Sequence, residues 1–139
     1  MQENKTASFF DSYSIDFNAI YGSGTGLFQR LINKWFRQTM LIRFQKTIAA
    51  CKPLEGKTIL DVGCGPGIYT VTLAKGSPDL VVGIDFAPSM IQIAGQEAKK
   101  AGVEDICRFE IADFLSLPED KQYNYLILMG FMDYIKNPQ

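Results

Sequence analysis

Four residues in seven carry the chemistry of this chain: Asp61-x-Gly63-x-Gly65-x-Gly67, set between the apolar run Ile59-Leu60 and a segment of helical spacing. Glycine at alternate positions lets the backbone turn sharply and leaves no side chain between main chain and ligand. The N–H groups that open the following helix face the same space. Such a loop at the carboxyl end of a strand is where open α/β sheets bind ligands. A phosphate loop requires Gly-Lys-Ser/Thr, and no such triplet follows Gly67. A dinucleotide loop reads G-x-G-x-x-G/A, and counted from Gly63 and Gly65 its last position is the β-branched Ile68, a poor match. Asp61 adds a full negative charge two residues before the first glycine. A carboxylate there repels a pyrophosphate and attracts an ammonium group, so the loop suits a ligand that is cationic at this end.

Further acids follow apolar runs downstream. Val81-Val82-Gly83-Ile84 ends in Asp85, followed by Phe86 and, after Pro88, Met90; Phe109-Glu110-Ile111-Ala112 ends in Asp113 and Phe114; and 125–129 is an apolar run ending in Met129. Taken in order, these landmarks over 57–138 resemble the class I S-adenosylmethionine-dependent methyltransferases. The resemblance implies S-adenosyl-L-methionine as cofactor, leaving as S-adenosyl-L-homocysteine, and assigns parts to matching positions. Gly63, Cys64, Gly65 and Gly67 form the cofactor loop, with Cys64 a small lining residue rather than a nucleophile. Asp61 lies near the methionine ammonium, directly or through water. Asp85 takes the ribose hydroxyls, with Phe86 and Met90 lining the adenine pocket. Asp113 faces the adenine amino group beside Phe114, and Met129 with Gly130 borders the transferable methyl. Each has a plainer reading: Asp61 orienting the loop, Asp85 capping the next helix, Phe86 and Met90 in the core, Asp113 in a surface loop.

The elements that must position these residues are legible from periodicity. Apolar residues at helical spacing mark a helix over 8–20, a glycine-rich break over 21–26, and a long amphipathic helix from Leu27 to about Ala50 that ends before Pro53. A short helix follows the loop and stops at Gly76 and Pro78. A continuously apolar strand runs over 80–85, as expected for a strand covered on both faces. Pro88 opens a helix that Gly102 closes, and strands at 106–111 and 125–129 complete the alternation. This predicts an α/β domain with a parallel sheet, and the resemblance makes it a Rossmann-like three-layer sandwich containing the 3-2-1-4 portion of the family's sheet. Residues 1–52 form an N-terminal helical extension or lid, to which Tyr13 and Tyr21 belong, and 53–139 the cofactor-binding core. The family's later strands are absent, which points to a fragment of a longer enzyme, or to a homo-oligomer paired through the exposed fourth strand.

Composition narrows the function. The chain has 139 residues and a net charge of −1, so it offers no overall polycationic surface, and Arg30, Lys34, Arg37, Arg43 and Lys46 read as a solvated helix face. The Asn/Asp-Pro-Pro-Tyr/Phe motif of nucleic-acid amino-methylating enzymes is absent, with Met129-Gly130-Phe131-Met132 in its place. No nucleic-acid partner is expected. With no leader and no apolar run of membrane-spanning length, no membrane partner is expected either, and the expected compartment is the cytoplasm. Three cysteines are too few and too scattered for a disulfide framework or metal cluster, so no metal is expected. Histidine is absent, which removes the commonest general base. Asp133 is a candidate proton acceptor, but the sequence names no catalytic base. The leading expectation is methyl transfer to a small-molecule acceptor. Its rivals are a non-catalytic cofactor-binding partner subunit and a nicotinamide-dependent oxidoreductase, the latter disfavoured by Ile68 and Asp61.

Overall fold

In a computed structural model, residues 27–118 and 121–129 are described, with side chains from 38 onward. The expected helix over 8–20, the glycine-rich break, Tyr13, Tyr21, Gly130 and Asp133 lie outside the described residues. The elements run α1 (Leu27–Ala50), β1 (Thr58–Val62), α2 (Ile68–Ala74), β2 (Leu80–Asp85), α3 (Pro88–Ala101), β3 (Cys107–Ile111), a 3-10 turn (Phe114–Ser116) and β4 (Tyr125–Ile127). Two compact units divide at Lys46 and Thr47, within α1.

All strand pairs are parallel and the order is β3-β2-β1-β4. This is the expected portion of a Rossmann-like sheet, with β1 and β2 at its centre. Centrality explains their composition: four of the five β1 residues and five of the six β2 residues are buried. Register aligns Asp61 with Gly83 on β2 and Ile127 on β4, and Gly83 with Phe109 on β3. Because side chains alternate along a strand, this row shares one face with Ile59 and Val81. That face packs against Val71, Leu73 and Ala74 of α2 and Ala98 of α3. Leu60, Val62, Val82 and Ile84 form the opposite face, which the β3–β4 connection covers through Ala112, Phe114, Leu117 and Tyr123.

Local chemistry sets the ends of the elements. α3 opens on Pro88, whose missing N–H is one of the helix's orphan donors. It closes at Gly102 in a left-handed conformation, with the Val103 N–H reaching back to the Ala98 carbonyl in a Schellman arrangement. Lys99 and Lys100 in its last turn face the negative end of the helix dipole. Asn124 ties the start of β4 to β1: its N–H donates to the Thr58 carbonyl at 2.8 Å, and its side-chain oxygen accepts from the Thr58 N–H at 2.9 Å.

Two strand boundaries differ from the sequence reading. β4 ends at Ile127 rather than at Met129, because Leu128 and Met129 are apolar for packing and lie beyond the ladder; they sit partly buried against opposite faces of the sheet. β3 begins at Cys107 rather than Ile106, whose N–H is taken by the Val103 carbonyl in the preceding turn.

Candidate functional site

The loop 63–67 joins β1 to α2 at the carboxyl end of the sheet. All three glycines are left-handed, with φ of 68° at Gly63, 51° at Gly65 and 84° at Gly67, a region that residues with a Cβ enter only under strain. Gly65 and Gly67 serve different ends. A Cβ on Gly67 would lie 2.9 Å from the Ala94 Cβ and 3.2 Å from its Cα, so this glycine lets the loop touch α3. A Cβ on Gly65 would meet nothing within 4 Å. Bare backbone there faces open space, as a ligand cradle requires.

Asp85 braces the cradle from β2. Its Oδ2 accepts from the Gly65 N–H at 3.0 Å and its Oδ1 from the Ala87 N–H at 2.8 Å. The second bond is an Asx turn, and the N-cap of α3 is Ala87. Asp85 is 9% exposed, and each carboxylate oxygen has a second acceptor lobe beyond the bond it makes. Phe86, the next residue, is 76% exposed, which excludes the core reading for it. Met90, one turn into α3, is half-buried.

Asp61 is placed differently. It is 1% exposed, and its Oδ2 accepts from the Thr70 hydroxyl at 2.7 Å. Burial pushes its carboxyl up to about 6, against hydrogen bonds from the Thr70 side chain and backbone that pull it down; the charge of Asp85 pushes it up further. Asp61 therefore acts on the loop from inside the sheet, through its field and through α2.

Cys64 also points inward. A Cβ on Gly83 would stand 3.0 Å from its Sγ, and the thiol lies 3.6 Å from the Gly65 carbonyl. Burial and then the charges of Asp61 and Asp85 push this thiol far above its ordinary range. A thiol held protonated is a poor nucleophile.

The remaining expected residues spread out. Asp113 caps the 3-10 turn, accepting from the Leu115 N–H at 3.1 Å, and is exposed. Its neighbour Phe114 packs against the opposite face of the sheet. Ala112 links the two strand ends, its N–H donating to the Asp85 carbonyl at 3.1 Å. Met129 packs on the helical face, with the Thr47 hydroxyl 3.8 Å from its sulfur. Thus the structure gathers the loop glycines, Asp61, Cys64 and Asp85, with Phe86 beside them; Asp113 follows Ala112, which is bonded to Asp85, while Phe114 and Met129 pack against opposite faces of the sheet.

Sequence reasoning missed two residues of the site. The Thr70 hydroxyl donates to Asp61, and Gly83 makes room for it: a Cβ on Gly83 would lie 2.9 Å from Thr70 Oγ1 and 3.0 Å from Phe109 Cδ1. A threonine three residues into the helix, on the side that returns to β1, is the signal that was available. Among the described residues there is no cluster of His, Cys, Asp or Glu fit to hold a metal ion, and no helix long and apolar enough to cross a membrane.

Comparison with known proteins agrees with this geometry. Over 84 residues the chain is 36% identical to human EEF1A lysine methyltransferase 2, covering 60% of this chain and 35% of that protein. It is 30% identical over 94 residues to the ubiquinone biosynthesis O-methyltransferase of Pasteurella multocida, covering 61% and 38%. The chain thus spans little more than a third of the length of these relatives. Among solved structures, it resembles an S-adenosylmethionine-dependent methyltransferase from Geobacter sulfurreducens in complex with S-adenosyl-L-homocysteine. That match has a TM-score of 0.54 and 25% identity, over 60% of this chain and 33% of the other. The family model described as a methyltransferase domain matches residues 53–139. That match takes in every element from β1 onward, and the chain belongs to this methyltransferase domain family.

Proposed function

We propose that the chain holds S-adenosyl-L-methionine across loop 63–67 and donates its methyl group to a small-molecule acceptor. The observation that carries the reading is the pairing of an open cradle at Gly65 with a carboxylate, Asp85, bonded to that same residue. The residues present fit the cofactor. Gly65 leaves a space that a Cβ would enter, Asp85 has acceptor capacity for vicinal hydroxyls, and the exposed ring of Phe86 offers an apolar wall beside it. The negative field of Asp61 favours a cationic end at the loop. The related structure solved with S-adenosyl-L-homocysteine supports the choice of cofactor.

When bound, the cofactor supplies an already activated methyl group on a sulfonium, so the protein's work is alignment and exclusion of water. In this division Asp85 and the Gly65 backbone fix the ribose end, Phe86 shields the base, and Asp61 orients the amino-acid end. The protonated Cys64 thiol takes no methyl, since the thiolate is the nucleophile. The O-methyltransferase relative and the near-neutral charge support a small-molecule acceptor. A second reading is a cofactor-binding module without catalysis, since the observations at the loop concern binding alone.

Incubation with methyl-labelled cofactor and a panel of phenolic, amine and carboxylic acceptors, with a protein-lysine substrate alongside, tests the proposal. Label in a small molecule supports it. Binding of the cofactor without transfer to any acceptor leaves the module reading. No binding by a folded sample overturns both.

A further inference from the structure

Asp61 and Thr70 form a buried polar pair that cofactor contact does not explain. Thr70 is 0% exposed and Asp61 1%, and they meet at 2.7 Å with the hydroxyl donating. The pair is built in from both sides. Asp61 lies in the central row between Ile127 and Gly83, and Gly83 leaves so little room over β2 that a Cβ there would crowd the Thr70 oxygen at 2.9 Å. If the pair served only to pin α2 to β1, an amide at position 61 would accept the same hydroxyl without the desolvation penalty of a buried charge. An acid in this place makes sense where its charge is used.

Among the described residues, the titratable groups that act electrically on Asp61, or that it acts on, are Asp85 at the end of β2, Cys64 in the loop and Cys51 after α1. None of these three is a cation. The force that opposes neutralisation of Asp61 is the hydrogen bonding from Thr70, which favours the charged form. We propose that Thr70 is a positioning residue of the ligand loop: its hydroxyl keeps the Asp61 carboxylate ionised, and the loop takes the cationic end of its ligand only in that state. Cofactor binding is then linked to a proton on Asp61, and the acid limit of binding is set by a threonine that never touches ligand. This rests on the cofactor reading given above.

The test compares wild type with Thr70→Val, Thr70→Ser and Asp61→Asn in the full 139-residue chain, using two readouts. One is the carbon-13 carboxyl NMR titration of Asp61 in ligand-free protein. The other is the affinity for S-adenosyl-L-homocysteine as a function of pH. A hydrogen bond to a charged group is worth about one to two pH units of midpoint. Thr70→Val should therefore move both midpoints upward by about that amount, Thr70→Ser should return both toward wild type, and Asp61→Asn should flatten the binding profile. A merely structural role for Thr70 would lower affinity at every pH and leave the midpoints in place. A folded Thr70→Val protein with an unmoved Asp61 titration, or an unmoved binding profile, overturns the proposal. Wild-type protein that binds no S-adenosyl-L-homocysteine at any pH overturns the cofactor reading, and the coupling with it, whatever the NMR titration shows.

Discussion

The two acids of the site divide the work by depth. Asp85 lies beside the cradle with both oxygens on backbone N–H groups, at 3.0 and 2.8 Å, and each oxygen keeps a second acceptor lobe. Asp85→Ala removes these braces together with the acceptors for vicinal hydroxyls. Charge-assisted bonds of this kind are worth about 1.5–3 kcal/mol each, so the affinity for S-adenosyl-L-homocysteine should fall roughly 10- to 100-fold while far-UV circular dichroism stays unchanged. Calorimetric titration checks this, and unchanged affinity would remove Asp85 from the site. Asp61 instead lies inside, and its effect on stability has the opposite sense to that of a salt-bridged acid. Its folded carboxyl stands at about 6, above the ordinary 3.8, so between those values the folded chain binds more protons than the unfolded one. Its stabilising contribution is complete below the lower value and is lost as pH rises through the upper one. Asp61→Asn should erase that loss, so its stability relative to wild type should rise by on the order of 2–3 kcal/mol between pH ~4 and pH ~7. Urea unfolding at the two pH values measures the difference directly. A protein stabilised at neutral pH by losing an acid that its ligand needs would show a functional group held at the expense of the fold.

At the scale of elements, the loop is where turn geometry and ligand access coincide, and two glycine substitutions separate them. Gly67→Ala meets both a left-handed φ of 84° and the Ala94 backbone at 3.2 Å, so the loop or α3 must shift; about 1–3 kcal/mol of stability should be lost. Gly65→Ala carries only the left-handed strain, about 1–2 kcal/mol, yet its methyl projects into the cradle. Thermal melts should therefore rank Gly67→Ala at or below Gly65→Ala, while S-adenosyl-L-homocysteine titration should show the sharper loss of binding in Gly65→Ala for its stability. Equal effects on binding and stability in both variants would refute this division. The same contrast shows what the sequence could reveal. The loop and the α2 and α3 boundaries were legible because they follow from local rules: left-handed glycines, a Pro88 start, a Gly102 stop, and continuous apolarity in strands buried on both faces; the strand order was implied by the family resemblance and by no local rule. The third and fourth strand ends were less so, because apolarity reports burial and not ladder pairing; Leu128 and Met129 are packed without being paired. The Asp61–Thr70 bond joins residues nine apart across a loop, and Gly83 reads as one more member of an apolar run. Such dependence on register appears only once the strands are aligned.

For the whole molecule, the sheet order puts Asp61 and Asp85 on the two central strands and leaves β3 and β4 at the margins. Among the described residues β4 pairs only with β1, over three residues, and Leu126 at its middle is 50% exposed although its register partner Leu60 is 3% exposed. The β4 edge that pairs with no strand among the described residues, together with a half-exposed leucine, is a template for adding a strand. A charged lysine on such an edge is a common natural block to pairing. We therefore expect wild-type chain to associate with rising concentration through β4, and Leu126→Lys to weaken that association strongly without disturbing the cradle on the other side of β1. Sedimentation velocity across a concentration series measures the first effect and S-adenosyl-L-homocysteine titration the second. Association that persists unchanged in Leu126→Lys would place the contact elsewhere on the molecule. Loss of ligand affinity in the dispersed variant would mean that β4 and its partner help to hold the cradle, making the edge part of the site.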